Sequence, residues 1–233
     1  MRKSLLGILF VVVLAFTFAA YILWSMGNSG FWKFQVAEFE KADRINPPNQ
    51  GIIVFTGSSS IRFWHTLEND MKPLAVINRG FGGSQIAHVN QYASEIILPY
   101  RPRAVVLYAG DNDLSWPWSR IPGQVFSDFK QLVEIIHAQL PETWIYYISM
   151  KPSPLRWSNW EKLRTTNGLI EGYCQTQERV QFIDVDAAML DSHGKPQAEL
   201  FRWDGLHMNS KGYAIWTSII KPVLLNRLAA GDP

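Results

Sequence analysis

Five short runs of β-branched or aromatic residues punctuate the chain, at residues 52–55, 75–77, 104–108, 144–148 and, more weakly, 180–183. The first four are apolar at consecutive positions and the fifth is broken by Gln181, so both faces of the strands they form must be covered, which is the pattern of a buried parallel sheet. Between the runs lie stretches with helical spacing. Residues 86–97 carry Ile86, Val89, Ala93 and Ile96, residues 125–140 carry Phe129, Leu132, Val133 and Ile136, and residues 160–173 and 213–228 behave alike. Pro141 and Gly212 fall where elements end or start. Strand and helix in alternation predict a three-layer α/β/α sandwich around a mostly parallel, flavodoxin-like sheet. A further helix is expected over residues 31–44, ahead of the first strand.

A second feature precedes all of these. After Arg2 and Lys3, residues 5–24 are free of charge. At about 1.5 Å per residue a helix of that length spans the roughly 30 Å core of a bilayer. The segment is expected to be one N-terminal transmembrane helix acting as an uncleaved anchor. A cleaved signal peptide is the alternative, although its apolar region usually runs about 7–15 residues, and this run continues past Thr17-Phe18-Ala19, the nearest approach to a cleavage site. With the basic residues held in the cytoplasm, the rest of the chain lies outside it, periplasmic or extracellular, and secreted if the segment is cleaved. The chain thus divides into residues 1–24, a linking helix and loop over 25–50, and one domain over 51–233.

Composition removes several classes of function. The 22 Lys and Arg against 20 Asp and Glu leave a net charge of +2, too balanced for a partner held through nucleic-acid phosphates. Cys174 is the single cysteine, which excludes an intramolecular disulfide and a cysteine-cluster metal site. His65, His88, His137, His193 and His207 lack metal-ligand spacing, so neither metal nor cofactor is expected.

In open parallel sheets ligands bind beyond the carboxyl ends of the strands, and the unusual residues of this chain fall there. Gly57-Ser58-Ser59-Ser60 follows the first run and Asn78-Arg79-Gly80-Phe81-Gly82-Gly83 the second. Gly110-Asp111-Asn112-Asp113 follows the third, and Asp204-Gly205-Leu206-His207 precedes the last helix. Singly these are commonplace: serines cap helices, glycines make turns, and a lone histidine is usually structural. Together they gather a hydroxyl, an Asp–His pair and two donor-rich loops at one edge. A serine hydroxyl becomes a useful nucleophile once a base takes its proton, and a histidine base needs a carboxylate to fix its tautomer.

The set resembles the SGNH, or GDSL-type, hydrolase family over roughly residues 52–228. Matched block by block, the resemblance implies Ser59 as nucleophile, Asp204 and His207 as its partners, and the N–H groups of Ser59 and Gly83 with the Asn112 amide as oxyanion hole. One position departs: the family's aspartate before the serine is Ser58 here, which leaves Ser58 and Ser60 as alternative nucleophiles. The α/β-hydrolase elbow Gly-x-Ser-x-Gly is disfavoured, because Ile61 stands where its last glycine belongs. The resemblance implies a serine esterase that cleaves small-molecule, lipid or glycan acyl esters through an acyl-enzyme; an O-acyltransferase or a non-catalytic glycan-binding module on the same fold is the alternative. Trp116, Trp118, Trp157 and Arg79, near these blocks, are candidates to bind substrate, with Trp160 and Arg202 beside them; core packing or plain surface is the competing reading for each.

Overall fold

The computed structural model describes residues 30–115, 117 and 119–228, together with the isolated residues 10, 13 and 17. The apolar N-terminal segment, apart from those three, and the side chains of Trp116 and Trp118 lie outside the described residues. Among the described residues no helix is long and apolar enough to cross a membrane.

Five strands form one sheet: β1 (Ile53–Gly57), β2 (Val76–Gly80), β3 (Ala104–Tyr108), β4 (Trp144–Ile148) and β5 (Val180–Ile183). Their order is β2-β1-β3-β4-β5, and every pairing is parallel. Successive side chains alternate between two cores. Val54, Val105, Leu107, Ile145 and Tyr147 enter one, while Ile53, Phe55, Val106, Tyr146 and Ile148 enter the other. Double coverage is why β3 and β4 are apolar at every position, while the sheet's outer strands admit Asn78, Arg79 and Gln181.

One face is covered by α1 (Lys33–Ile45), α4 (Ile86–Gln91), α5 (Ala93–Ile96), α6 (Pro122–His137) and α7 (Trp160–Cys174). The other is covered by α2 (Ser59–Arg62), α3 (Leu67–Asp70), α8 (Asp186–Met189) and α9 (Ser210–Leu228). Two sequence expectations need correction. The helix expected over residues 86–97 is two short helices that break at Tyr92, where φ is −101° and ψ 11°. The run expected over residues 75–77 is a strand that starts at Val76 and continues to Gly80, because Asn78 and Arg79 pair with Phe55 and Thr56 of β1. Strand order reverses between β2 and β3 on either side of β1, and the crevice at that switch point is where a ligand fits an open sheet.

The segment ahead of β1 is more than a tether. Trp32, 2% exposed, and Val36 are buried in the α4–α7 core. The Trp32 ring lies 4.1 Å from that of His88, whose Nδ1 accepts the Gln85 N–H at 3.1 Å. Burial, aided by the Arg120 charge and opposed by Asp128, lowers His88 to a pKa of about 4. Above pH 6.5 the ring is neutral folded or unfolded; below it the unfolded chain takes up the proton first. Stability is therefore expected to fall between pH 6.5 and about 4, by on the order of 3 kcal/mol from this group. Urea unfolding of wild type and His88→Gln across that range checks this; identical slopes would dismiss it.

Candidate active site

The site begins with a close approach. Gly57 ends β1 at φ +121°, and a Cβ there would lie 2.0 Å from the Tyr108 carbonyl oxygen, so no larger residue fits. Ser58 N–H donates to that same oxygen at 2.8 Å, and Phe81 N–H donates to Gly57 O at 2.9 Å. Thus the ends of β1, β2 and β3 are tied together just where α2 starts. The three serines then diverge. Ser58 is buried, and Ser60 is buried with its Oγ accepting from Lys151 Nζ at 3.2 Å. Ser59, half-buried, has its Oγ 3.0 Å from His207 Nε2.

His207 and Asp204 sit in a tight turn closed by the Phe201–Met208 bridge and by Arg202 N–H donating to His207 O at 2.7 Å. Gly205, at φ +63°, makes the turn. Asp204 Oδ2 lies 2.7 Å from His207 Nδ1, while Oδ1 accepts the N–H groups of Leu206 and His207, both at 2.9 Å. Burial works against the Asp204 charge, but the bond from His207 and the two backbone donors prevail and hold its pKa at about 2. The Phe63 ring stands edge-on to the imidazole at 5.0 Å.

Two other loops carry the candidate donors, Gly83 after β2 and Asn112 after β3. Gly83 takes φ +76°, a region that suits glycine. Asn112 is fixed at both ends: its Nδ2 donates to Ser84 O at 2.9 Å, and its Oδ1 accepts from Arg156 Nη2 at 2.7 Å. One amide N–H of Asn112 remains to meet a ligand. The N–H groups of Ser59 and Gly83 donate to no protein acceptor among the described residues.

Beneath the site is a charged cluster that sequence reasoning missed. Arg156 Nη1 lies 2.8 Å from Asp111 Oδ2, and Lys151 Nζ approaches the same oxygen at 3.8 Å. Tyr108 donates its hydroxyl proton to Asp111 at 3.2 Å and accepts from Lys151 at 3.1 Å. Burial drives Lys151 down to about 8 against the pull of Asp111. Burial would raise Asp111, yet Arg156 and Lys151 outweigh it and lower its pKa. The available signal was weak: Lys151 and Arg156 flank the prolines of the loop after β4, at the same sheet edge as the other blocks.

Two proposed substrate-binding residues are placed otherwise. Arg79 is buried, paired with Asp43 of α1, and donates to Tyr100 Oη at 2.7 Å; its guanidinium also lies over the Phe39 ring. Its charge is consumed in holding α1 to β2, which removes it as a ligand for substrate. Trp157 stacks on Trp160 with centroids 5.7 Å apart and carries Lys195 on its ring, so it packs against α7. Arg202 donates through Nε to Met208 O and covers Phe63. By contrast Trp203, next to Asp204, is 98% exposed.

A hydroxyl, an imidazole and a carboxylate bonded in series at the switch point of a parallel sheet, with neighbouring loops that carry N–H groups without a protein acceptor among the described residues, are the parts with which a hydrolase works on acyl groups. The sequence model of the GDSL-like lipase/acylhydrolase family matches residues 50–215, and the chain belongs to that family. It is an ester-hydrolysing enzyme. No curated protein matches it. Among solved structures it is similar to a Streptococcus pneumoniae protein described as a candidate platelet activating factor, at 18% identity and TM-score 0.76, covering 91% of this chain and 99% of that one. A GDSL-like lipase from Bacteroides thetaiotaomicron is similar at 21% identity and TM-score 0.71, with 86% and 98% covered. A family 3 carbohydrate esterase from Talaromyces cellulolyticus follows at 18% identity and TM-score 0.61, with 75% and 97% covered.

Proposed function

We propose that the protein is a serine esterase in which Ser59 attacks the carbonyl carbon of an acyl ester. His207 Nε2 takes the Ser59 proton and later gives it to the leaving alcohol, and Asp204 holds the imidazole with Nδ1 protonated and supports its positive charge. The negative oxygen of the tetrahedral intermediate sits among the N–H groups of Ser59 and Gly83 and the Asn112 amide. Water then repeats the sequence on the acyl-enzyme, releasing the acid and free Ser59. The observation that carries this reading is the unbroken series Asp204–His207–Ser59, at 2.7 and 3.0 Å.

The substrate we propose is an O-acyl ester of a small molecule, glycan or lipid, in keeping with the carbohydrate esterase and the lipase among similar structures. Residues 5–24, uncharged behind Arg2 and Lys3, support a membrane anchor with the catalytic domain outside the cytoplasm.

One experiment tests both parts. Membranes from cells expressing the full chain, treated with a fluorophosphonate, are expected to yield one adduct, formed as Ser59 Oγ bonds to phosphorus and fluoride leaves. The modified peptide should contain Ser59 and stay in the pellet through an alkaline carbonate wash. Modification at Ser58 or Ser60 instead, or none in folded protein, would overturn the nucleophile; a soluble adduct would overturn the anchor.

A further inference from the structure

Trp32 lies upstream of residues 50–215, in the segment read from sequence as a link between anchor and domain. Its indole nevertheless reaches the loop after β2, where Nε1–H donates to the Gly82 carbonyl oxygen at 2.8 Å. That oxygen and the Gly83 N–H belong to one peptide unit. The bond between Gly82 and Gly83 is trans, so its C=O and N–H point in opposite directions. Fixing the carbonyl on one side therefore fixes the N–H on the other.

We propose that Trp32 is a positioning residue, whose indole N–H clamps the Gly82–Gly83 peptide so that the Gly83 N–H faces the cleft as an oxyanion donor. The inference rests on the esterase reading above and adds to it a part supplied from outside the matched family region.

A clamp is needed here because both residues of this peptide are glycines, for which the flipped orientation carries little steric cost. The indole is suited to it, being itself held: it is 2% exposed, 4.1 Å from the His88 ring and 5.9 Å from Phe81. A second tie acts at the far end of the same helix, where Asp43 pairs with Arg79 near the end of β2. Between them, α1 grips the strand and the loop that follows it. Donation to the carbonyl also polarises the peptide and strengthens its N–H as a donor.

Trp32→Phe keeps an aromatic ring in the pocket and removes the donor together with part of the indole's volume, whereas benzothienylalanine at position 32 removes the donor alone. Its kcat on p-nitrophenyl acetate is expected to fall about tenfold with KM within twofold of wild type, because the lost interaction serves the tetrahedral state and not the bound ester. Affinity for phenylboronic acid, which forms a tetrahedral adduct on the nucleophile, should weaken by a similar factor. A folded Trp32→Phe with both kcat and boronate affinity within twofold of wild type would overturn the proposal, as would a rise in KM that accounts for the whole loss. Should the phenylalanine variant fail to fold, benzothienylalanine at position 32, an isostere with sulfur in place of the N–H, carries the same expectations. Ser59→Ala run alongside separates the two levels: turnover persisting in that variant overturns the catalytic reading itself, whereas turnover that vanishes with Ser59 and ignores Trp32 overturns only the clamp.

Discussion

Ser59→Ala is expected to lower hydrolysis of p-nitrophenyl acetate by about 10⁴- to 10⁶-fold while leaving the fold intact. The size follows from chemistry: without the hydroxyl there is no acyl-enzyme, and the proton transfer to His207 has no donor. The residual rate over water would come from the N–H groups of the cleft, which still favour a tetrahedral oxyanion when water attacks. The fold should survive because Ser59 is half-buried and, among the described residues, its side chain bonds to His207 Nε2 alone. By contrast, changing Ser60 would strip an acceptor from buried Lys151. Steady-state rates and a thermal melt on the same preparations decide the matter, and a rate within tenfold of wild type would remove Ser59 from the mechanism.

The second large effect is expected from Asp204→Asn, at about 10⁴-fold in kcat. Asp204 Oδ1 accepts two backbone N–H groups and Oδ2 faces His207 Nδ1. An asparagine satisfies the backbone donors by placing its amide oxygen at the Oδ1 position, which puts its NH2 group against Nδ1. The imidazole must then carry its proton on Nε2, where it cannot accept the one on Ser59. Turning the amide over instead sets the NH2 group against two N–H donors, so the wrong tautomer is the lesser conflict. A kcat within tenfold of wild type would show that Asp204 does not govern the His207 tautomer.

Much of this was legible because it is local. The strands over residues 104–108, 144–148 and 180–183 appear at those bounds, since an apolar run covered on both faces has little else to be. The carboxyl-edge rule likewise brought Gly57, Asn112 and His207 to one place from three distant parts of the chain. What escaped depends on pairing across space. Arg79 beside the glycine block was a candidate to meet substrate, and nothing in the sequence announces that Asp43, 36 residues earlier, already holds it. Arg156 has no motif of its own, and its importance arises from a bond to Asn112 across 44 residues. Trp32 falls in a stretch whose helical spacing was visible but whose docking surface was not. The β2 extension was hidden because Asn78 and Arg79 are not strand-like by composition; backbone pairing to β1 overrides their propensity.

The charges below the cleft constrain how such a site can change over time. Asp111 is balanced by Arg156 and Lys151 together; Asp111 and Lys151 are buried, and Arg156 is half-buried. Losing any one strands a buried charge, at a cost on the order of 3–5 kcal/mol, a large share of what a domain of this size has to spare. An uncharged packing of the same volume could be as stable, but the single-substitution steps toward it pass through chains that fold poorly. Lineages carrying this arrangement should therefore keep or exchange the three residues as a block, and a homologue lacking one is expected to lack its partners as well.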